Sequence, residues 1–203
     1  MDKITDYSRG LDVLPRREVV AQLLKNRGEL LVVTGLGAAT YDVFATSPSN
    51  YNFYLWGAMG SAAITGLGIA MAKPDIPVLV ITGDGESLMG LGALATIGVK
   101  QPKNLTVAVL DNGHYGETGM QKSHSSYGIC LNNVASACNF DQTSEITSIE
   151  EVKALQESIY SVDKAGPTLH RILVEATNED RVLPTRDCVE IKNKFRAAQG
   201  LAV

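Results

Sequence analysis

The chain has 203 residues, of which 45% are hydrophobic and 20% are charged, and its formal net charge at pH 7 is −4. That composition is typical of a globular protein, and the length predicts a single domain over residues 1–203. The negative charge and the lack of a basic stripe argue against nucleic-acid binding. No apolar run is long enough to span a membrane. Residues 1–6 lack a secretory pattern, and the three cysteines have no metal-binding spacing, so we expect a cytoplasmic protein with free thiols.

Short apolar runs alternate with helical patterns along the chain. The predicted strands cover residues 30–34, 78–82, 105–110 and 168–175. Helices are predicted at 15–26, at 61–73, at 88–97, within 128–139, from 149 to about 162, and at 185–199. A further helix is predicted to follow a turn at 35–40. Ser148 and Glu151 have the spacing of a capping box. Strands that are apolar throughout and alternate with helices predict an α/β fold: a doubly wound, mostly parallel sheet with helices on both faces.

The helix predicted at 61–73 is rich in alanine and glycine. Glycine inside a helix costs about 1 kcal/mol relative to alanine, so this composition favours very close packing against a neighbour. That neighbour is either another subunit or the chain's own sheet.

Polar residues follow two of the predicted strands directly. Gly83-Asp84-Gly85-Glu86-Ser87 comes after the strand at 78–82, and Asp111-Asn112 comes after the strand at 105–110. Neighbouring parallel strands place their carboxyl ends at one crevice, where α/β proteins bind ligands. Asp84 and Asn112 supply the hard oxygen donors that Mg²⁺ prefers when it shares a phosphate ligand. The alternative is a pair of ordinary strand-to-helix turns, which use the same residue types.

This pair of segments resembles the motif of enzymes that use thiamine diphosphate: Gly-Asp-Gly, some two dozen or more residues, then an asparagine at a strand end. Here the 25 residues from Glu86 to Leu110 intervene, and Asp111 replaces the first of the family's two asparagines. The resemblance implies that Mg²⁺ is held by Asp84, the side chain of Asn112 and the main-chain carbonyl of His114. It also implies cofactor contacts from Gly83, Asp84, Gly85, Glu86, Ser87, Asn112, His114, Tyr115 and Gly116.

A second segment, from Trp56 to Ala63, looks like the family's Gly-x-hydrophobic-Gly segment. By this resemblance Met59 wedges under the bridge between the two cofactor rings and bends the cofactor, and the Gly57 carbonyl accepts from the aminopyrimidine. The alternative for Met59 is core packing, because methionine fills irregular gaps.

Weaker site candidates lie on either side of these motifs. In relatives, the segment after the asparagine covers the thiazolium ring, so Glu117 and His114 are catalytic candidates, with Thr118, Lys122 and His124 nearby. Histidine titrates near neutrality and can relay protons, although His124 is equally an exposed loop residue and His114 is better placed to act through its carbonyl. The residues Thr34, Gly35 and Gly37 either approach the cofactor or form a tight turn.

One departure concerns Glu86, which stands where the family usually has a small residue. A carboxylate next to a diphosphate is unfavourable unless it points away. The resemblance therefore requires the Glu86 carboxylate to point away from the diphosphate.

The resemblance covers residues 30–175 and corresponds to the diphosphate-binding domain of thiamine-dependent decarboxylases. Family members also have a pyrimidine-binding domain that supplies a catalytic glutamate, so we expect that glutamate on a separate α-type subunit. The pattern is most similar to split 2-oxoacid decarboxylases of the sulfopyruvate and phosphonopyruvate type, which implies a small anionic 2-oxoacid as substrate. Two alternatives stay open: a subunit of an acetolactate-synthase-like carboligase, and a regulatory subunit that binds the cofactor without turnover.

Overall fold

The computed structural model describes residues 13–203, and the expectation about a secretory signal concerns residues outside that range. The strands are β1 Leu31–Thr34, β2 Asn52–Tyr54, β3 Val78–Gly83, β4 Leu105–Asp111, β5 His114–Tyr115, β6 Gln121–Lys122, β7 Gln142–Ile146 and β8 Thr168–Leu173. The helices are α1 Arg16–Leu23, α2 Ala38–Thr46, α3 Ala62–Ala72, α4 Asp84–Met89, α5 Gly92–Lys100, α6 Leu131–Ala137, α7 Ile149–Ile159 and α8 Cys188–Ala198. Two short 3₁₀ helices cover Gly116–Thr118 and His124–Tyr127.

In this part of the chain six strands form one sheet in the order β2-β1-β3-β4-β8-β7. Every pairing in the sheet is parallel. The connection from β1 leads outward to β2, whereas the connection from β3 leads the opposite way to β4. The carboxyl ends of β1 and β3 therefore flank the point where the winding reverses, and a ligand crevice is expected there.

Helices cover both faces of the sheet, as the sequence predicts. On one face α1, α2 and α7 pack against the side chains of Leu79, Ile81 and Ala108. On the other face α3, α5 and α6 pack against Val78, Val80 and Val107. The alternation along β3 and β4 explains why these strands are apolar at every position: each face meets a helical layer. The prediction of a doubly wound α/β fold is confirmed.

Three details of the predicted secondary structure are wrong. The edge strands β2 and β7 were not predicted, because β2 is only three residues long and β7, with the sequence Gln-Thr-Ser-Glu-Ile, is largely polar. The helix predicted at 88–97 is interrupted between α4 and α5. At this interruption a Cβ on Gly90 would overlap the carbonyl oxygen of Gly60, so the helix gives way to a close backbone contact.

The predicted capping box is present at the start of α7. The Ser148 hydroxyl accepts from the Glu151 amide at 3.3 Å, and a Glu151 carboxylate oxygen accepts from the Ser148 amide at 3.0 Å. Over the described residues, no helix has the length and apolar character needed to cross a membrane.

The substitution Ser148→Ala removes the side-chain acceptor of this box. We expect it to lower the free energy of unfolding by about 1 kcal/mol, the usual effect of losing an N-cap. Urea denaturation of both proteins measures the difference. An unchanged midpoint would show that α7 does not depend on its cap.

Candidate functional site

A cavity of about 580 Å³ lies at the carboxyl ends of β1, β3 and β4. Its floor is formed by residues at and after the ends of these strands: Leu36 after β1, Gly83 to Glu86 at the end of β3 and the start of α4, and Asn112 after β4. Its walls include Met59 and the segment from His114 to Gln121. The reversal of the sheet's winding and the two sequence motifs therefore indicate the same cavity as the ligand site.

Asp84 is the first residue of α4 and is 1% exposed. Its Oδ2 accepts hydrogen bonds from the hydroxyls of Ser123 and Ser125, the latter at 2.9 Å, so neither hydroxyl occupies Oδ1. Burial raises the pKa of Asp84 to about 6, and the charge of Asp111 adds to this effect while the two serines oppose it. A carboxylate that is desolvated and lies near a second carboxylate is a favourable place for a cation.

Asp111 ends β4 and is also buried. Its Oδ2 accepts from Arg171 Nε at 2.6 Å, and its Oδ1 accepts from the Gly113 amide at 2.9 Å and lies 2.8 Å from the Ser125 hydroxyl oxygen. Arg171 on β8 also donates to Glu145 on β7 at 2.6 Å. The aspartate at this position thus fastens β4 to the two strands on its outer side.

Asn112 and His114 complete the predicted metal set, and both line the cavity with Asp84. The Asn112 side-chain oxygen accepts from the His114 amide at 2.9 Å, and the His114 ring Nδ1 lies 2.7 Å from the Asn112 carbonyl oxygen. Residues 13–203 contain no cluster of three or more His, Cys, Asp or Glu side chains suited to a metal. The predicted set needs none, because it combines one carboxylate with an amide oxygen and a main-chain carbonyl, donors that fit a small hard cation.

The residues after Gly83 form a short helix, α4, that begins directly at Asp84. Helix α4 has only six residues, so its dipole is a minor source of attraction for a phosphate. A Cβ on Gly85 would lie 2.6 Å from the Tyr115 ring, which explains the need for glycine there. Ser87 is half-buried and is not among the residues that line the cavity.

Met59 lines the cavity and is 36% exposed, so it does not belong to the packed core. It lies between two glycines with positive φ, Gly57 at 76° and Gly60 at 90°. Such angles favour glycine. We call residues 57–61 the Met59 loop. Gly57 itself is not among the cavity-lining residues.

Glu86 turns its carboxylate toward the protein. It is 4% exposed, and its Oε1 accepts from the Ala62 amide at 3.1 Å while its Oε2 accepts from the Thr82 hydroxyl. Burial raises the pKa of Glu86, and hydrogen bonds from Thr82 and from the amides of residues 60–62 oppose this. The conflict between Glu86 and a diphosphate is thereby reduced, because the carboxylate is directed to these groups.

The segment after Asn112 forms a small hairpin in which β5 pairs with β6. Glu117 follows β5, and its Oε2 lies 3.3 Å from Arg181 Nη2 and accepts from the Tyr41 hydroxyl at 3.4 Å. Tyr115, Gly116 and Thr118 also line the cavity, whereas His124 is exposed and is not among its lining residues.

Several residues of the site have no signal in the sequence. Ser123 and Ser125, which hold Asp84, lie some 40 residues after it. Tyr41 and Arg181 line the cavity from α2 and from the irregular link after β8. These residues come from segments far apart in the chain, and only the fold brings them together.

Comparison with known proteins decides the family. Residues 34–183 match the family described as thiamine pyrophosphate enzyme, C-terminal TPP binding domain. The chain belongs to this family. The domain is one that binds thiamine diphosphate, as the motif resemblance predicts.

Individual relatives give the same family. The chain is 38% identical over 139 residues to the sulfopyruvate decarboxylase subunit beta of Methanocaldococcus jannaschii, covering 68% of this chain and 73% of that protein. It is 35% identical to the subunit of the same name from Methanococcus maripaludis, covering 91% and 97%. It is 37% identical over 82% of its length to a phosphonopyruvate decarboxylase of Streptomyces viridochromogenes, of which it spans only 41%.

A solved structure supports the fold. The X-ray structure of a putative thiamin diphosphate-dependent enzyme from Mycobacterium smegmatis matches with a TM-score of 0.66 at 21% identity. The match covers 85% of this chain and 34% of that chain.

The buried Asp84 predicts an unusual pH dependence of stability. Its pKa rises from 3.8 in the unfolded chain to about 6 in the folded one, so the folded state binds more protons between these values. The contribution of Asp84 to the free energy of unfolding must then fall as the pH rises from about 4 to about 6. We expect the neutral variant Asp84→Asn, without added metal, to gain stability relative to the wild type over this range and to keep the gain above it. Urea denaturation from pH 4 to pH 8 measures the difference, and parallel profiles would contradict the expectation.

Proposed function

We propose that this chain is the cofactor-binding subunit of a two-subunit, thiamine diphosphate- and Mg²⁺-dependent decarboxylase of a small anionic 2-oxoacid. The observation that carries the proposal is the meeting of Asp84, Asn112 and Met59 in one cavity at the winding reversal. The relatives named sulfopyruvate decarboxylase subunit beta support it, since the chain spans 73% and 97% of two of them. Sulfopyruvate or phosphonopyruvate is the kind of substrate we assign.

In this proposal Mg²⁺ would be held by Asp84, by the Asn112 side chain and by the His114 carbonyl, and the amides near Gly85 would bind the diphosphate. Met59 would support the cofactor, and the Gly57 carbonyl would accept from its aminopyrimidine. When bound, the cofactor supplies the electron sink for the release of carbon dioxide. The chain's own part is to bind and orient cofactor and substrate and to exclude water.

A cationic group for the substrate is available at the cavity. The side chain of Arg181 is 59% exposed. Its guanidinium lies 5.8 Å from the centre of the Tyr41 ring. Arg16 also lines the cavity, but its guanidinium is buried and paired with Asp42 at 2.5 Å. Arg181 is therefore the better placed of the two to bind a sulfonate or phosphonate. The substrate anion would replace Glu117 as the ion-pair partner of Arg181.

An exposed apolar surface that reaches the cavity at Met89 supports the proposal of a partner subunit. Helices α3 and α5 pack together, and their outer faces with the end of α4 expose apolar side chains: Ile64, Met71, Met89 and Val99. Met89 also lines the cavity, so the apolar surface continues to its edge. An α-type subunit bound there would be able to supply the glutamate that activates the aminopyrimidine. We also propose that the enzyme works in the cytoplasm.

The first prediction of the proposed function concerns the metal. Asp84→Ala removes the only carboxylate of the proposed metal set, so Mg²⁺-dependent binding of thiamine diphosphate is expected to be lost. Isothermal titration calorimetry with and without Mg²⁺ measures it on the chain with its partner. His124→Ala, on the exposed surface, serves as the control and should bind normally. Retained affinity in Asp84→Ala would contradict the metal assignment.

The second prediction concerns the substrate. Arg181→Ala should raise KM for sulfopyruvate or phosphonopyruvate about ten- to hundredfold, the usual effect of losing a charged hydrogen bond. It should change KM for pyruvate much less, because pyruvate lacks the second anionic group. An equal change for both classes of substrate would show that Arg181 does not recognise that group.

The whole assignment is tested by reconstitution. Native mass spectrometry of the chain purified with Mg²⁺ should detect a second subunit and thiamine diphosphate, and the complex should release carbon dioxide and an aldehyde. A longer ketone as product would indicate a carboligase, and a loaded complex without turnover would indicate a regulatory subunit. A homo-oligomer that stays free of added cofactor would overturn the proposal.

A further inference from the structure

The carboxylate of Glu86 joins three elements around the cavity. The residue lies on α4, its Oε2 accepts from the hydroxyl of Thr82 at the end of β3, and its Oε1 accepts from the amide of Ala62, the first residue of α3. The side chain of Ser61, directly before α3, makes no capping hydrogen bond. Glu86 thus supplies from another helix the acceptor that a helix start normally obtains from its own N-cap.

Glycine leaves room for this carboxylate. A Cβ on Gly35, just after β1, would overlap Glu86 Oε2 and would also come within 3.1 Å of the Thr82 hydroxyl oxygen. No positive φ is found at Gly35. Its backbone conformation is therefore open to other residues, and the carboxylate is the specific reason for a glycine here.

Besides the amide of Ala62, Glu86 faces the amides of Gly60 and Ser61, the last two residues of the Met59 loop. This loop contains Gly57 and Gly60, and glycine loses the most conformational freedom on folding. Gly60 also contacts the end of α4, since a Cβ on it would lie 2.9 Å from the amide nitrogen of Gly90, the residue that follows this helix, and 3.0 Å from the carbonyl carbon of Met89. The loop is consequently attached to α4 at its end, next to Met59, by one buried carboxylate and one close backbone contact.

We propose that Glu86 is a positioning residue, whose buried carboxylate holds the Met59 loop in the conformation that receives the cofactor. The assignment of Met59 to the cofactor rests on the proposed function. The holding of the loop by Glu86 does not, so the two can be tested separately.

The first test uses the full chain without cofactor. In Glu86→Ala the amide of Ala62 loses its acceptor, and a buried donor without a partner is costly. Hydrogen exchange of the segment 57–62, measured by mass spectrometry, should be about tenfold faster or more. Glu86→Gln keeps one side-chain oxygen as acceptor and should restore slow exchange.

Trp56 provides a second readout. It is the chain's one tryptophan, it directly precedes the loop, and its ring centre lies 6.3 Å from that of Tyr41. Its Nε1 donates to the Thr185 carbonyl at 2.9 Å. The fluorescence anisotropy of Trp56 should fall in Glu86→Ala and stay near the wild-type value in Glu86→Gln.

The second test measures thiamine diphosphate affinity by calorimetry, with the partner subunit where binding needs it. Glu86→Ala should weaken binding about ten- to hundredfold, because the loop must be ordered at the moment of binding. The matched control is Ser148→Ala, which removes a helix-start acceptor at a residue that does not line the cavity. It should lose stability without losing affinity.

Gly35→Ala approaches the same carboxylate from the opposite side. The new methyl group would displace Glu86 Oε2, so exchange of the segment 57–62 should rise in this variant also. In the double variant Gly35→Ala/Glu86→Ala the overlap no longer exists. Its effect should therefore equal that of Glu86→Ala alone and not the sum of the two.

The outcomes separate the two ideas. Exchange and anisotropy of Glu86→Ala that match the wild type, or additive effects in the double variant, would overturn the role of Glu86. Loss of affinity in Ser148→Ala equal to that in Glu86→Ala would do the same. A wild-type chain that binds no thiamine diphosphate with Mg²⁺ and its partner would overturn the proposed function, while amide exchange would still decide whether Glu86 holds the loop.

Discussion

Two carboxylates buried side by side determine how this end of the sheet is built. Asp84 directly follows β3 and Asp111 ends the neighbouring β4, and the hydroxyl of Ser125 contacts both side chains. Like charges in a desolvated setting repel, and the protein compensates for one of them with Arg171. The other, Asp84, is left with hydroxyl donors and a raised pKa. The site is thus incomplete in charge, which is the condition in which a bound cation is most effective.

The attachment of one sheet edge, strand β7, depends on the same charge compensation. Arg171 reaches from β8 to Asp111 on one side and to Glu145 on the other, so the ion pairs run across three adjacent strands. Breaking a buried pair by removing one partner generally costs more than its formation contributes. The polar edge strand β7 is therefore tied to the centre of the sheet by charge as well as by its backbone ladder.

The centre of the fold could be predicted from the sequence, and the periphery could not. Strands β3 and β4 are covered on both faces, so their apolar runs are unambiguous and the polar residues that follow them stand out. The motif resemblance added Met59, and the fold places this residue at the cavity. Strand β7 lacks such a run because its side chains meet solvent, and Glu145 within it becomes recognisable as a partner only once β8 is in place. The orientation of Glu86 was equally hidden, since its acceptor role depends on the start of α3 some two dozen residues earlier.

The close backbone contact between Gly60 and Gly90 couples the cavity to the outer surface of the protein. Because no side chain separates these two backbones, the loop that carries Met59 and the helix end that carries Met89 cannot shift independently. Met89 lies on the apolar outer surface as well as in the cavity. A ligand that moves the loop and a protein that docks on that surface would therefore each change the other's affinity, and thermodynamic linkage requires the two changes to be equal.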